Sequence, residues 1–568
     1  MARRGSARSR QEEKGAPGVR RNPRGLGQGG NSHRFWVVIT FLLVFHLPPS
    51  CLFPTTLEEL PIDHWAYNLI ERLQERGHFG ELLITDRPYT RLEVARYVIQ
   101  LEEKGEWGEL SRSERSWVNR LERELEAEIA RLEGEDPREN RPFSWRIGLW
   151  GSPRADLKED SKELEPPYES IRFGGDIDPD VAFQGEMGGA LQYSDRFVLV
   201  DRLLGDTEPR NEPEFRIRRE GLHYRNFRFP EAYFSGVFGP LSILFGRHNI
   251  VWGHGPENAL TISGVSPPFD MIRYRLGVLS LQATGFLAML DRTAGSDGLY
   301  SRYLYAHKLS WRAKPWLQVG VSETVLVTGV GRGIDFNYLN PLLFLASLQW
   351  EESATQVNTN NFSSVDWSLY LSPGIFLSGE LLVDELLHVR TEQNQDFSRS
   401  VAFYQGLVWS HSPLPDGMSL ELSYTRIGSF TYLHRGEATY YSHYDAPIGS
   451  PLGPDTDQWL AGVSYPIVNG FDLAVDYRHR RRGENRLEPA VSAEGHRGEP
   501  FPTGVVEKRS GPGVTWEWFP ADFLRFRGEF VYTRVENLNN QDGVRESISN
   551  LELSLDYLFD IGGSFSNP

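Results

Sequence analysis

Cysteine is almost absent from this sequence, which contains a single thiol at Cys51. No disulfide can form within the chain, so its stability has to come from buried apolar area and backbone pairing. Long hydrophobic runs are also missing: Phe35 to Phe45, eleven largely apolar residues, are too few to span a bilayer. We therefore expect no membrane-spanning helix in these 568 residues.

Charge is unevenly spread along the chain, with basic residues in excess only in the first 34 residues. That stretch has nine Lys or Arg against Glu12 and Glu13, whereas the whole chain has a formal net charge of −17. The remainder is therefore strongly acidic and would repel phosphate backbones, which argues against a nucleic-acid partner.

The first 53 residues have the pattern of an export signal. A basic stretch precedes the apolar run Phe35 to Phe45, and HLPPSCLFP follows as a cleavage region without a clear small-x-small site. We expect residues 1–53 to be a basic n-region and signal peptide, and the protein to be exported.

Residues 54–140 are expected to form a small helical periplasmic domain. Leu69, Ile70 and Leu73 recur at helical spacing, and Thr90 with Glu93 predicts a capping box. The segment resembles a single S-layer homology module through Asp63, His64, Trp65, Ala66, Tyr89, Thr90, Arg91, Glu93 and Ala95. The resemblance implies a peptidoglycan or cell-wall glycan partner, and a simple helical cap on a larger domain is the alternative.

From residue 141 to residue 568 the helical period gives way to alternation of apolar and polar residues. In FLRFRGEFVYT, Leu524, Phe526 and Phe530 share one face while Arg525 and Arg527 share the other. Such alternation fits a soluble sandwich or a membrane barrel with its apolar face toward lipid. Polar loops, aromatic residues near strand ends and the export signal favour a large antiparallel transmembrane β-barrel of about 16–18 strands in the outer membrane.

The stretch GRHNIVWGHGPENALTISG, Gly246 to Gly264, interrupts this alternation with a long loop. It lacks the Lys-Ser/Thr pair of a phosphate-binding loop, its two histidines have poor metal-ligand spacing, and no nucleophile elbow surrounds its serine. We therefore expect no catalytic residue, cofactor or metal. Arginine, tryptophan and glutamate together are instead suited to sugars, since rings stack on sugar faces and polar groups bond hydroxyls.

The same stretch, followed by PPFDMIRYR, resembles the Wzi-like capsule-assembly outer-membrane proteins. FNYLNPLLF, SGELLVDEL and SPLGPDTDQW agree in order, so the resemblance covers about residues 140–560. It implies a barrel that binds or anchors capsular polysaccharide or exopolysaccharide at the cell surface as a lectin, and not as an enzyme. By resemblance, the candidate polysaccharide-binding residues are Arg247, Trp252, Glu257, Asp270, Asn337 and Tyr338.

Two other functions remain open from the sequence. A diffusion porin with a helical domain that grips the cell wall has the same strand pattern, and an open or a plugged lumen would separate it from a lectin. A barrel hydrolase is the third possibility, although no nucleophile and base can be paired from the sequence.

Overall fold

The computed structural model describes residues 57–103, 106–134, 143–158, 180–206, 227–278, 280–295, 298–340, 343, 345, 358–372, 374–384, 400–433, 438–468, 470–487 and 499–565. The predicted signal peptide lies outside these residues. The boundaries proposed at residues 53 and 140 stay predictions.

Among the described residues, four α-helices precede the barrel strands, in the segment where the periodicity predicts helical structure. They are α1 Ala66–Glu75, α2 Arg91–Glu103, α3 Arg112–Glu124 and α4 Glu126–Leu132. The predicted cap before α2 is present, because Thr90 N donates to Glu93 Oε2 at 2.7 Å and Glu93 N donates to Thr90 Oγ1 at 3.1 Å. No helix in the described ranges is long and apolar enough to cross a membrane.

The four helices share an apolar core of their own. One buried cluster includes Leu69, Leu73, Val94, Val98, Trp117, Leu121 and Leu125. Arg91 lies inside this bundle and donates to Glu128 Oε1 at 2.7 Å and to Glu124 Oε1 at 2.8 Å. The helical segment, called the plug below, is therefore a packed body with its own core.

The strands form a closed antiparallel barrel. They are β1 Phe143–Lys158, β2 Asp180–Tyr193, β3 Phe197–Asp206, β4 Phe227–Phe238, β5 Leu241–His248, β6 Phe269–Val278, β7 Leu281–Met289, β8 Gly298–Lys314, β9 Leu317–Val330, β10 Asn358–Ser372, β11 Ile375–Asp384, β12 Val401–Trp409, β13 Ser419–Ile427, β14 Thr456–Val468, β15 Phe471–Arg482, β16 Glu507–Ala521, β17 Leu524–Glu536 and β18 Arg545–Phe565. Within the described ranges these 18 strands close the wall, because β1 pairs with both β2 and β18. The predicted fold class is confirmed.

Side chains alternate between a lipid-compatible outer face and a polar lumen. On β5, Ile243 and Phe245 point outward and are 40% and 64% exposed, while Leu244 between them is buried. On β17 the lumen-facing Arg525 is buried and donates to Asp556 Oδ2 at 2.6 Å. An apolar exterior around a polar interior is the arrangement that a membrane barrel requires.

The two ends of the barrel differ in their connections. β2–β3, β4–β5, β6–β7 and β8–β9 are joined by tight turns, whereas the connections at the opposite end include 249–268 and 428–455. The plug lies at the short-turn end, where Arg72 of α1 pairs with Asp472 at 2.6 Å and Ser113 N donates to Asp416 Oδ2 at 3.0 Å. The plug therefore covers the short-turn mouth.

Loop 249–268 enters the lumen from the long-loop end. Glu380 on β11 accepts hydrogen bonds from Leu260 N and Thr261 N, both at 2.9 Å. Gly253 adopts φ +138°, and a Cβ there would lie 2.7 Å from a Glu380 carboxylate oxygen, so the turn requires glycine. This loop thus folds back against the inner wall.

Plug, loop and wall meet inside the barrel. Asp86 of the plug accepts from Trp252 Nε1 of the loop at 3.0 Å and from Thr284 Oγ1 of β7 at 2.7 Å. Lys308 of β8 pairs with Asp366 of β10 at 2.8 Å. One apolar cluster joins these parts through Leu57, Ile250, Trp252, Leu260, Phe286, Leu304, Leu326, Tyr432 and Tyr441. The lumen is therefore filled at this level.

Candidate functional site at the long-loop rim

Arg247 and Asp270 form a bidentate ion pair on the outer face of the wall. They face each other across β5 and β6, and the Arg247 Nε and Nη2 atoms lie 2.8 and 2.7 Å from the two Asp270 oxygens. The outward positions nearer the membrane centre on these strands, Phe245 and Ile272, are apolar and exposed. The pair therefore marks the level at which the apolar band gives way to polar surface.

A pocket of about 470 Å³ opens beside this pair. Its lining includes four arginines and one carboxylate, namely Arg228, Arg247, Arg292, Arg302 and Asp270. Aromatic residues complete the wall: Phe227, Phe229, Tyr303, His443 and Tyr444. We call this the rim pocket. Its position at the ends of β4 to β8 places it just beyond the lipid-facing band, on the long-loop side.

A tight hairpin from loop 428–455 forms one side of the rim pocket. Ser442 pairs with Pro447 and His443 with Ala446, so Tyr444 and Asp445 are the two turn residues. Both have positive φ, +50° and +64°. This backbone favours glycine or asparagine, and a tyrosine held there costs about 1–3 kcal/mol. This strained turn places Tyr444 at the mouth of the pocket.

Arg302 and Asp291 hold the hairpin in place. Arg302 is buried and donates to the carbonyl oxygens of Ala438, Tyr440 and Ser442 at 2.8–3.0 Å. Asp291 accepts from Tyr444 N at 3.0 Å and from Arg302 Nη1 at 2.9 Å. Burial alone would raise the pKa of Asp291, but His443 and Arg302 lower it below its ordinary value. The carboxylate therefore stays charged and keeps the hairpin fixed.

Two further arginines present guanidinium groups at the rim pocket. Arg292 is exposed at the pocket edge, and Arg247 uses one side of its guanidinium for Asp270 and is 35% exposed. Guanidinium groups bind carboxylates and phosphates through paired hydrogen bonds, and the aromatic rings offer flat faces for sugars. The pocket is thus suited to a sugar chain that carries hydroxyl and acidic groups.

The structure brings two of the six predicted site residues together and separates the other four. Arg247 and Asp270 both line the rim pocket. Trp252 is fully buried in the lumen, where it bonds to Asp86, and Glu257 is exposed on loop 249–268. Asn337 and Tyr338 lie on a different segment, with Tyr338 fully buried against Tyr305. The roles of all six residues in sugar binding stay predictions.

Arg292 and Tyr444 are not among the six candidate residues predicted from the sequence, although the tyrosines of Tyr432 to Asp445 could be expected to stack on sugar. Arg292 lies in the connection between β7 and β8 and has no local motif. Tyr444 lies in a two-residue turn, but the turn sequence is Tyr-Asp, whereas hairpins of this kind usually have Asn-Gly. In the part of the chain that the structure describes, no group of three His, Cys, Asp or Glu residues could hold a metal ion.

Comparisons with known proteins give a clear match. The family model for the capsule assembly protein Wzi matches residues 152–548. The solved Wzi structure from Escherichia coli, described as an outer-membrane protein of group 1 capsule assembly and a carbohydrate-binding β-barrel, superposes with a TM-score of 0.57. It is 14% identical, and the match covers 90% of this chain and 100% of that chain. No curated protein sequence matches the chain.

Solved channel structures are more distant. Pseudomonas aeruginosa OccD3 has a TM-score of 0.42 at 10% identity, covering 73% of this chain and 91% of that one. Acinetobacter baumannii OccAB4 has a TM-score of 0.41 at 9% identity, covering 75% and 100%.

Proposed function

Because the chain belongs to the capsule assembly protein Wzi family, we propose that it binds capsular polysaccharide or exopolysaccharide at the cell surface through the rim pocket, without catalysing a reaction. It is an outer-membrane β-barrel, with an apolar outer face and a polar interior. The glycan is held where the barrel emerges from the membrane on the long-loop side.

The rim pocket is the observation that carries this proposal. It combines arginines with exposed aromatic rings at the level where a surface polymer meets the membrane. Arg302 is paired with Asp291 and Arg247 with Asp270, so the exposed Arg292 is the group that favours a glycan with acidic groups over a neutral one. The rigid support of Arg302 and Asp291 reduces the ordering cost of binding.

The porin alternative is disfavoured by the filled lumen. A diffusion channel needs a continuous aqueous path, whereas the plug, loop 249–268 and the wall share one buried cluster. We expect purified protein in planar bilayers to show no large steady conductance. A steady open channel would instead support the porin.

The proposal is tested by measuring glycan binding and capsule retention. Arg292→Ala and Tyr444→Ala remove one charge and one ring from the pocket, and Arg545→Ala removes an exposed arginine at the start of β18 as a matched control. We expect the first two variants to bind purified capsular polysaccharide several-fold more weakly, because each interaction is worth about 1–2 kcal/mol.

The control should bind as the unchanged protein does, and all three should keep the heat-modifiable band of a folded barrel. Cells that produce only the pocket variants should release more capsule into the medium. Equal binding by Tyr444→Ala, Arg292→Ala and Arg545→Ala would show that the glycan binds elsewhere.

A further inference from the structure

A short segment of the β9–β10 connection folds down over the outside of the barrel. We call Gly331 to Asn340, together with Leu343 and Leu345, the outer flap. Its 3₁₀ turn Phe336–Leu339 is capped by Asp335, whose Oδ1 accepts from Asn337 N at 3.0 Å. The flap is thus a structured element on the outer face, away from the lumen.

The flap covers outward positions that would otherwise face lipid. On β9, Ser322 and Thr324 face the lumen, so the alternating Glu323, Val325 and Val327 point outward, yet all three are buried. They are covered because Tyr338 and Leu345 pack with Val325, Val327, Leu287 and Tyr305 in one cluster. The outward Val321, one position nearer the short-turn end, is 52% exposed and uncovered.

Specific hydrogen bonds fasten the flap to the wall. Asp335 N donates to Tyr305 Oη at 2.8 Å, and Tyr303 Oη donates to Arg332 O at 3.3 Å. Leu345 N donates to Glu323 Oε2 at 2.8 Å. A carboxylate on the lipid side of a barrel is unfavourable, and this donor with the surrounding apolar cover removes Glu323 from lipid.

The exposed residues of the flap include three large apolar side chains, beside Asn337 and Asn340. Ile334, Phe336 and Leu343 are exposed, and Phe336 is 78% exposed. On the same strands, Leu309, Trp311 and Val321 of the wall are also exposed and belong to the lipid-facing band. The flap therefore continues the apolar exterior of the wall toward the long-loop end.

We propose that the outer flap binds the outer-leaflet lipid surface, with Ile334, Phe336 and Leu343 inserted at the boundary between headgroups and acyl chains. The depth follows from the register, because Tyr303, which holds the flap, shares a row with Met289 and Asp270 at the edge of the apolar band. Interfacial segments bury their apolar side about 5–10 Å at this boundary. The flap adjoins the rim pocket at Tyr303, but its exposed residues Ile334, Phe336 and Leu343 do not line that pocket.

The proposal is tested with spin labels on the complete protein in lipid vesicles. Cys51 is the only cysteine, so Cys51→Ser gives a background in which a single new cysteine can be labelled. Phe336→Cys reports the flap, Leu309→Cys reports the lipid-facing wall, and Asp542→Cys reports an exposed position in the β17–β18 connection. The ratio of oxygen collisions to collisions with a water-soluble nickel complex is then measured.

The label at position 336 should have an oxygen-to-nickel ratio several-fold above that at 542 and close to that at 309. A ratio equal to that at 542 would overturn the proposal, since the flap would then face water. Spin–spin broadening at 336 that disappears on dilution with unlabelled protein would also overturn it, because a second copy of the chain would be the partner. The heat-modifiable band confirms folding of each variant.

A second pair of variants tests whether Glu323 holds the outer flap against the wall. Glu323→Ala removes the acceptor for Leu345 N, whereas Glu323→Gln keeps an acceptor without the charge. The label at 336 should become more mobile in Glu323→Ala and change little in Glu323→Gln. Equal mobility in Glu323→Ala and the unchanged chain would contradict the assigned contact.

Discussion

The two ends of the barrel are closed in different ways. At the short-turn end a helical plug with its own apolar core meets the wall through ion pairs and hydrogen bonds, such as Arg72 with Asp472, and through a small apolar contact of Ile84 with Phe376 and Val408. At the long-loop end, loops 249–268 and 428–455 share one apolar cluster with the wall. The plug therefore keeps an apolar core of its own, whereas the loops are buried within the cluster of the barrel interior, which the plug joins at Leu57.

This difference predicts where single substitutions will be most damaging. Ion pairs near a surface contribute little because water and salt screen them, while buried acceptors that satisfy backbone donors contribute much more. Substitutions that loosen the inward loop should destabilise the whole protein, and those at the plug surface should act locally.

The largest effect is expected from Glu380→Ala. This change leaves Leu260 N and Thr261 N buried without their acceptor, which should lower the free energy of unfolding by about 4 kcal/mol. The temperature at which the heat-modifiable band converts measures the loss, and proteolysis should begin within loop 249–268. Glu257→Ala removes an exposed carboxylate from the same loop and should change neither readout. Equal effects of the two changes would contradict the conclusion that Glu380 holds loop 249–268 against the inner wall.

The plug should weaken as pH rises. Burial, and then the nearby carboxylates of Glu421 and Glu71, raise the pKa of Glu75 on α1 to about 8 from 4.5. The folded state therefore keeps a proton that the unfolded chain loses, so stability falls between pH 4.5 and about 8. Glu75→Gln should remove about 3 kcal/mol of this fall, as measured by denaturant unfolding at pH 5 and pH 8. If the unfolding free energy changed equally with pH in the unchanged protein and in Glu75→Gln, the raised pKa of Glu75 would be refuted.

A smaller effect is expected from Arg72→Ala. Asp472 is buried, so it loses a charged partner at 2.6 Å and stability should fall by about 2 kcal/mol. Hydrogen exchange should show faster opening of α1 with an unchanged barrel. Global loosening of the strands would mean that plug and barrel unfold as one unit.

The smallest effect is expected from Arg123→Ala. Its pair with Asp522 is 3.0 Å long, but the side chains are 54% and 63% exposed. The change should alter the unfolding free energy by less than about 0.5 kcal/mol, because exposed pairs are screened. A larger loss would indicate that plug docking depends on this pair more than its exposure suggests.

The wall was predictable because its signal is local. Alternation along β17 separates Phe526 and Phe530 from Arg525 and Arg527 within a few residues, and this pattern defines which face meets lipid. The predicted cap of Thr90 and Glu93 is local as well, and it is present. The strand number falls at the upper end of the predicted range.

The interior was less predictable because its contacts join distant residues. Trp252 bonds to Asp86, 166 positions earlier, and nothing near either residue indicates the pairing. Arg247 and Asp270 were both candidates from the family resemblance, but only strand register shows that they face each other. The outer flap was unexpected for the same reason, since FNYLNPLLF gives no indication that Tyr338 packs outside the wall.

Ring closure has a consequence for the order of assembly. The first strand, β1, pairs with the last, β18, from Phe143 opposite Phe565 to Lys158 opposite Asn550. The cylinder therefore cannot be sealed until the final strand is available, long after the plug segment has emerged from the ribosome. Asp86 is buried inside the finished barrel. The plug segment that contains it must therefore enter either while the sheet is still open or after the barrel has closed. The machinery that inserts this chain into the outer membrane must therefore accommodate a plug segment that is synthesised before the strands that surround it.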